Sequence, residues 1–161
     1  MKTGWCASVL ATAAMLGGCD NVYPIYQPTT GGHAGAHITP KQSWSARGTV
    51  RDVGFAIDDD VNTAARSDLR QNDAELVIDL KQLCLFQTVI IEHGSERDGH
   101  PRAVSVATST DGKTFQERHV GPGTRRVTIL SLPAPVLARY VRLKVATPGL
   151  QAWNVAEVYL Q

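Results

Sequence analysis

The chain has 161 residues, and its 16 Lys and Arg against 15 Asp and Glu leave a formal net charge of only +1. This balance favours neither nucleic acid nor an acidic surface as a partner, and we expect no nucleic-acid binding. The length suits a single domain with its own hydrophobic core, preceded by a short targeting segment.

The first residues predict a secretory signal. Lys2 supplies one positive charge, and a mostly apolar, small-residue run follows over 7–16, too short to span a bilayer as a mature helix. The next segment, Leu16-Gly17-Gly18-Cys19, resembles the bacterial lipobox, whose cysteine becomes the lipid-bearing N-terminus. We therefore expect a lipoprotein signal peptide over 1–18 and a lipid on Cys19 that anchors the protein to a membrane of the bacterial cell envelope, inner or outer. The alternative is an ordinary secretory signal that contains a cysteine by coincidence.

Residues 19–42 are rich in proline, glycine and threonine, and this composition predicts a flexible tether after the lipid. The two remaining cysteines predict no disulfide. Cys6 leaves with the signal peptide, and Cys84 lies in the apolar run Leu83-Cys84-Leu85-Phe86, which is typical of a buried, inert thiol.

From residue 43 to 161 the pattern is one of short β segments between turn signals, with no convincing amphipathic helix. The clearest alternation places Val141, Leu143 and Val145 on one face of a strand and polar residues on the other. Asp111-Gly112 predicts a hairpin turn. About eight strands predict an all-β, jelly-roll β-sandwich. Seven of these predicted strands lie at 75–80, 86–92, 103–109, 114–118, 126–130, 139–145 and 154–160.

Five segments in this order resemble the discoidin domain, also called the coagulation factor V/VIII C-type domain: Phe55–Thr63, Glu75–Leu80, Ser109–Phe115, Ala138–Leu143 and Val155–Val158. The resemblance covers the whole folded region. It implies a galactose-binding-like sandwich whose relatives bind sugars, phospholipid headgroups or protein partners. Bacterial members are similar to carbohydrate-binding modules, which are not catalytic.

Two positions depart from the family pattern. Asp59 stands where the family's early loop usually has glycine, so a side chain occupies a place that favours a permissive residue. Thr63 is followed by Ala64-Ala65-Arg66, so the tryptophan that usually comes two residues after the threonine is missing.

The resemblance also implies one structural calcium ion, held by Asp58, Asp60, Thr63 and Glu157. Carboxylate, hydroxyl and main-chain oxygens are the ligands that calcium prefers, and Glu157 would join the end of the domain to its early loop. The alternative is an acidic turn exposed to solvent.

A sugar site needs an apolar ring face and planar hydrogen-bond donors for hydroxyl groups. The long polar loop 93–102 and the last loop, 149–154, offer both. The candidate ligand-binding residues are His93, Arg97, His100 and Trp153, followed by Arg66. Trp153 has packing in the core as its alternative, and so does Trp44.

No nucleophile elbow, phosphate-binding loop or dinucleotide fingerprint is present, and we expect no enzymatic activity. The sequence therefore predicts a membrane-anchored, non-catalytic carbohydrate-binding module of the bacterial envelope, with a glycan or polysaccharide as its partner. The alternatives are a structural or protein-interaction lipoprotein with an envelope protein as partner, and a phospholipid-binding domain.

Overall fold

The computed structural model describes residues 37–68, 71–96 and 98–161. The predicted signal peptide, Cys19, most of the predicted tether and Arg97 lie outside them. The described part is almost entirely β-structure, with 3-10 turns at Lys41–Ser43 and Val53–Ala56, and it contains no helix long and apolar enough to cross a membrane. The strands are β1 (Ser45–Gly48), β2 (Ala65–Arg66), β3 (Glu75–Glu92), β4 (Ala103–Ser109), β5 (Gln116–Pro122), β6 (Val127–Thr147), β7 (Asn154–Val155) and β8 (Glu157–Leu160).

Two long antiparallel strands, β3 and β6, organise the fold. The first half of β3 pairs with β1 and with the second half of β6, which continues the sheet to β4 and β5. The second half of β3 pairs with the first half of β6 and with β8. The short strands β2 and β7 form a separate pair. The result is the β-sandwich that the sequence predicts.

The structure joins strands that the sequence pattern separates. The segments predicted at 75–80 and 86–92 form one strand, β3, and those at 126–130 and 139–145 belong to β6. The middles of the two strands pair with each other, with Cys84 opposite Ala138 and Phe86 opposite Val136, while the register shifts on either side. Prolines and polar residues make these middles look like loops in sequence, but the pairing of 84–86 with 136–138 keeps both strands continuous, with a register shift at which Lys81 takes a φ of +71°.

The core follows the predicted alternation. Val141, Leu143 and Val145 are buried on one face of β6, and Tyr140, Arg142 and Lys144 are only partly covered on the other. Cys84 is a buried free thiol, as predicted. The predicted hairpin at Asp111-Gly112 is confirmed, because β4 and β5 pair antiparallel on either side of it and Gly112 takes a φ of +72°.

The folded domain begins before the predicted boundary at residue 43. Ile38 packs against the core, and the hydroxyl of Thr39 donates a hydrogen bond of 2.7 Å to the carbonyl of Leu80. The indole N–H of the buried Trp44 donates to the carbonyl and hydroxyl oxygens of Thr39. Trp44 is therefore a core residue, and Lys41 belongs to the domain rather than to the tether.

Gly48 lies where the main chain of β1 comes close to that of β3. A Cβ at this position would overlap the main-chain carbonyl of Glu75, whereas a Cβ at Gly54 would meet nothing within 4 Å. We expect Gly48→Ala to lower the free energy of unfolding by about 2 kcal/mol, because the backbone must shift. The matched variant Gly54→Ala should change it by no more than about 0.5 kcal/mol. Urea unfolding of both variants checks this, and equal effects would contradict the close approach.

Candidate functional site

A polar cleft of about 360 Å³ opens beside the β2–β7 pair. Its volume lies in the range of small-molecule sites. Four parts of the chain form it: Arg51 with Asp52, the loop 58–64 with the start of β2, the segment 93–96 that follows β3, and β7. The lining residues are Arg51, Asp52, Val61, Asn62, Thr63, Ala64, Arg66, His93, Gly94, Ser95, Glu96 and Asn154.

Three polar side chains form a closed array on the cleft wall. Arg66 donates a hydrogen bond of 2.8 Å from Nε to Oδ1 of Asn154, and its Nη2 donates to Oε1 of Glu96. The amide nitrogen of Asn154 donates to Oε2 of Glu96 at 2.8 Å. Each group fixes the other two, and the side chains of Arg66 and Glu96 stay about half exposed. The array therefore presents ordered donors and acceptors to the cleft.

His93 supports this array from below. Its Nδ1–H donates a 2.7 Å hydrogen bond to the main-chain carbonyl of Asn154, and its Nε2 lies 2.8 Å from the hydroxyl of Thr128. A carbonyl only accepts, so the proton is on Nδ1 and Nε2 accepts from Thr128. Burial lowers the pKa of His93 to about 4, although its contact with Asn154 opposes the shift. His93 is thus a neutral buried residue, 1% exposed, with both ring nitrogens engaged.

Two of the predicted ligand-binding residues are therefore corrected. Trp153 is 0% exposed, and its main chain is held to Ser67 by hydrogen bonds in both directions, so its ring cannot stack on a sugar. The tryptophan is a core residue. His93 contributes to the floor of the cleft, but it has no free nitrogen to offer a ligand. The loops look polar and accessible in sequence, yet tertiary packing buries these two rings.

The other three predicted ligand-binding residues have different outcomes. Arg66 lies in the cleft as described above. His100 is half-buried, with its ring 6.0 Å from that of His93, and it does not line the cleft. Arg97 lies outside the described residues.

Asn154, Glu96 and Arg51 also line the cleft, and nothing in the sequence pattern singles them out for it. Asn154 is drawn into the site by the loop that follows β3. Its N–H donates to the carbonyl of Gly99 at 2.9 Å, and a Cβ on Gly99 would overlap its side chain. The sequence signal for this array was Arg66, because its guanidinium needs acidic and amide partners from neighbouring loops.

The loop 58–64 is held by its own side chains. The carboxylate of Asp58 accepts hydrogen bonds from the N–H of Asp60 at 3.0 Å and the hydroxyl of Thr63 at 2.9 Å. The carboxylate of Asp60 turns back to accept from Asn62. Asp59 stands where the family usually has glycine. It nevertheless adopts the left-handed backbone conformation that glycine favours, with a φ of +64°. Aspartate tolerates this region better than most residues.

Glu157 at the start of β8 meets this loop in the interior. Its carboxyl group lies beside that of Asp58, and one of its oxygens, Oε1, is buried with no hydrogen-bond partner. The other, Oε2, accepts a hydrogen bond from the ammonium of Lys41, which also lies 3.0 Å from Oδ1 of Asp59. The ammonium lies 3.9 Å from the centre of the Tyr159 ring. One cation thus contacts two carboxylates and an aromatic face.

The electrostatics of this cluster follow from burial and pairing. Burial raises the pKa of Glu157, and the contact with Lys41 only partly offsets the shift. Burial acts to lower the pKa of Lys41, but its hydrogen bonds to Glu157 and Asp59 outweigh burial and raise it. Burial acts to raise the pKa of Asp58, but its hydrogen bonds from Asp60 and Thr63 outweigh burial and lower it.

The residues predicted to bind calcium come together in this cluster. Asp58, Glu157, the hydroxyl of Thr63 and the carbonyl of Asp60, which accepts from that hydroxyl at 2.9 Å, are hard oxygen donors of the kind calcium takes. The Asp60 carboxylate is directed to its own turn instead. Within 37–68, 71–96 and 98–161, no three His, Cys, Asp or Glu side chains converge as a metal site. The donor set fits calcium in kind, while the positive charge at Glu157 comes from Lys41. Calcium binding stays a prediction.

Comparisons with known proteins agree with the fold. The family model described as F5/8 type C domain matches residues 37–158. No curated protein matches the chain.

Several solved structures are similar. The family 32 carbohydrate-binding module of NanJ from Clostridium perfringens, in complex with galactose, is 16% identical, with a TM-score of 0.65 over 75% of this chain and 95% of that chain. The Clostridium perfringens module CpGH89CBM32-5, in complex with GalNAc-β-1,3-galactose, is 19% identical, with a TM-score of 0.65 over 75% and 96%. The CBM32 of AlyQ, in complex with 4,5-unsaturated mannuronic acid, is 16% identical, with a TM-score of 0.60 over 73% and 93%. At these identities the likeness is one of fold.

The buried neutral state of His93 predicts how stability depends on pH. The unfolded chain binds a proton at this histidine below about pH 6.5, whereas the folded chain does so only near pH 4, so stability falls as the pH drops through this window. We expect a loss of roughly 2–3 kcal/mol between about pH 7.5 and 4.5, measured by urea unfolding.

The variant His93→Gln should flatten this dependence. His119→Gln, on β5 and outside the cleft, controls for the loss of an imidazole. An NMR titration in which the His93 ring protonates near pH 6.5 in the folded protein would contradict the assignment.

Proposed function

The chain belongs to the F5/8 type C domain family, and from that premise we propose that it binds a glycan in the cleft between loop 58–64 and segment 93–96 without catalysing a reaction on it. The observation that carries this proposal is the closed array of Arg66, Glu96 and Asn154. The half-exposed guanidinium of Arg66 and carboxylate of Glu96, fixed side by side by the buried amide of Asn154, suit the vicinal hydroxyl groups of a sugar.

The charge of the cleft favours a neutral sugar. Among the described residues, its lining holds two arginines, Arg51 and Arg66, and two acids, Asp52 and Glu96, whose formal charges sum to zero. Arg66 and Glu96 already pair with each other, so a ligand carboxylate would compete with Glu96 for the same guanidinium. We therefore propose a neutral hexose or N-acetylhexosamine as the bound unit.

We expect weak binding to a single sugar. The described residues that line the cleft include no Trp, Tyr or Phe, and their apolar members are Val61, Ala64 and Gly94. Without an aromatic face, affinity depends on hydrogen bonds that replace equally good bonds to water. The dissociation constant for a monosaccharide should be on the order of 1 mM.

The same geometry argues for binding rather than hydrolysis. Glycoside hydrolysis needs one carboxylic acid that carries a proton for the leaving group and a second carboxylate beside it. Both oxygens of Glu96 already accept hydrogen bonds from Arg66 and Asn154, so neither carries that proton.

We also propose that the domain works at a membrane surface. The support is the sequence around Cys19, whose lipid would hold the domain against the bacterial envelope. A Cys19→Ser variant, expressed in a bacterial host, should leave the membrane fraction and lose the lipid mass in mass spectrometry. A variant that keeps both would contradict the anchor.

One observation favours a second candidate, phospholipid binding. Leu150, in the loop between β6 and β7, is 75% exposed, and an apolar side chain at a loop tip suits insertion between headgroups. Liposome flotation of the Cys19→Ser protein, with Leu150→Ser as its control, separates this candidate from glycan binding. Flotation that depends on Leu150 would favour lipid.

The glycan proposal predicts a specific loss in Arg66→Ala. A glycan array identifies the sugar, and titration calorimetry then compares variants. Arg66→Ala should weaken binding at least about tenfold, because it removes two donors and releases Glu96 and Asn154.

The matched control is Arg142→Ala. Arg142 also faces a glutamate, Glu75 at 3.9 Å, but lies on β6 outside the cleft, so its loss should leave affinity unchanged. Binding of no sugar across a broad array, or equal losses in the two variants, would overturn the proposal.

A further inference from the structure

Glu157 is a buried acidic residue that needs a positive charge beside it. Its side chain is 0% exposed, and the neighbouring carboxyl group of Asp58 adds negative charge. A buried carboxylate is costly unless a cation or several hydrogen bonds compensate it. Oε1 has no hydrogen-bond partner, and the main chain of Asp59 favours the charged form less than Lys41 does, so the compensation depends mainly on a cation at Oε2.

Lys41 supplies this cation from the opposite end of the domain. Its side chain is only 9% exposed, and its ammonium contacts Glu157, Asp59 and the face of Tyr159 together. Asp59 and Glu157 both accept the charge, and the aromatic ring covers it. This is a shaped site for one cation, unlike surface pairs such as Lys144 with Asp73, whose side chains are 44% and 88% exposed.

We propose that the Lys41 ammonium is the resident cation of this site, taking the place of the calcium that the residues around Glu157 would otherwise bind, so that the domain folds without calcium. The calcium donors and the lysine share Glu157. A calcium ion needs six to eight oxygens close around it and would repel the ammonium in a poorly solvated space, so one cation must displace the other.

Asp59 belongs to the same arrangement. It holds a left-handed conformation that a side chain rarely adopts, and its carboxylate lies 3.0 Å from the ammonium. The ion pair offsets the energetic cost of this backbone conformation. With the Asp59 carboxylate as well as that of Glu157, the site suits an ammonium, which can donate hydrogen bonds in several directions. Lys41 and Asp59 together thus favour the lysine over an external ion.

Thermal melting of the full chain in mild detergent tests this, in EDTA and in excess calcium or magnesium. The wild type should melt at one temperature in all three. Lys41→Met keeps an apolar side chain over Tyr159 but leaves Glu157 without a cation, so its melting temperature in EDTA should fall by about 10 °C. Calcium should restore it, and magnesium should not, because the smaller ion demands octahedral geometry.

Two further variants keep the test decisive. Lys144→Met removes an ion-paired lysine elsewhere and should behave as the wild type does. Lys41→Met combined with Glu157→Gln removes both charges and should not respond to calcium. If Lys41→Met cannot be purified in EDTA, it is purified in calcium, and chelation should then unfold it.

Several results of the same melting and calorimetry experiments would contradict the proposal. A wild type that melts lower in EDTA than in calcium, or that binds calcium with micromolar affinity by calorimetry, would overturn the proposal. So would a Lys41→Met protein that is as stable as the wild type in EDTA, or one that calcium does not stabilise.

Discussion

The buried carboxylate of Glu157 is the constraint on which the arrangement of the site depends. Its partner, Lys41, is 116 residues away in sequence, and the contact ties the first turn of the domain to its last strand. Asp58 and Asp59 bring the early loop to the same point. Thr63, which bonds to Asp58, also lines the cleft, so the charge cluster and the cleft share one loop. Electrostatic pairing in the interior thereby fixes a wall of the cleft.

The opposite wall of the cleft has a different kind of support. Neutral His93 holds the main chain of Asn154, and the side chain of Asn154 then orients Arg66 and Glu96. A ligand-binding array works best when groups behind it fix its geometry before the ligand arrives. The residues that touch solvent are few, and the residues that position them are buried. This explains why a polar cleft can persist on a small β-sandwich without an aromatic platform among its described lining residues.

The sequence predicts the parts of this structure that depend on local periodicity. Val141, Leu143 and Val145 alternate with polar residues, and such alternation specifies a half-buried strand. The continuity of β3 and β6 is not local, because it depends on Cys84 and Ala138 pairing across the sheet.

The candidate site was less predictable for the same reason. Trp153 and His93 stand in polar loops, and only the packing of distant segments over them makes them core residues. Lys41 looks like part of a tether, because nothing near it in sequence reveals a buried carboxylate at 157. Arg66 could be chosen from its type alone, whereas its partners Glu96 and Asn154 lie 30 and 88 residues away.

The central claim, that the cleft is a glycan site, is tested most directly by a crystal structure of the protein soaked with a neutral sugar that it binds. We predict sugar density in the cleft, with ring hydroxyls on Arg66 and Glu96, the two exposed members of the array. Density elsewhere on the domain, with the cleft holding only water, would contradict it.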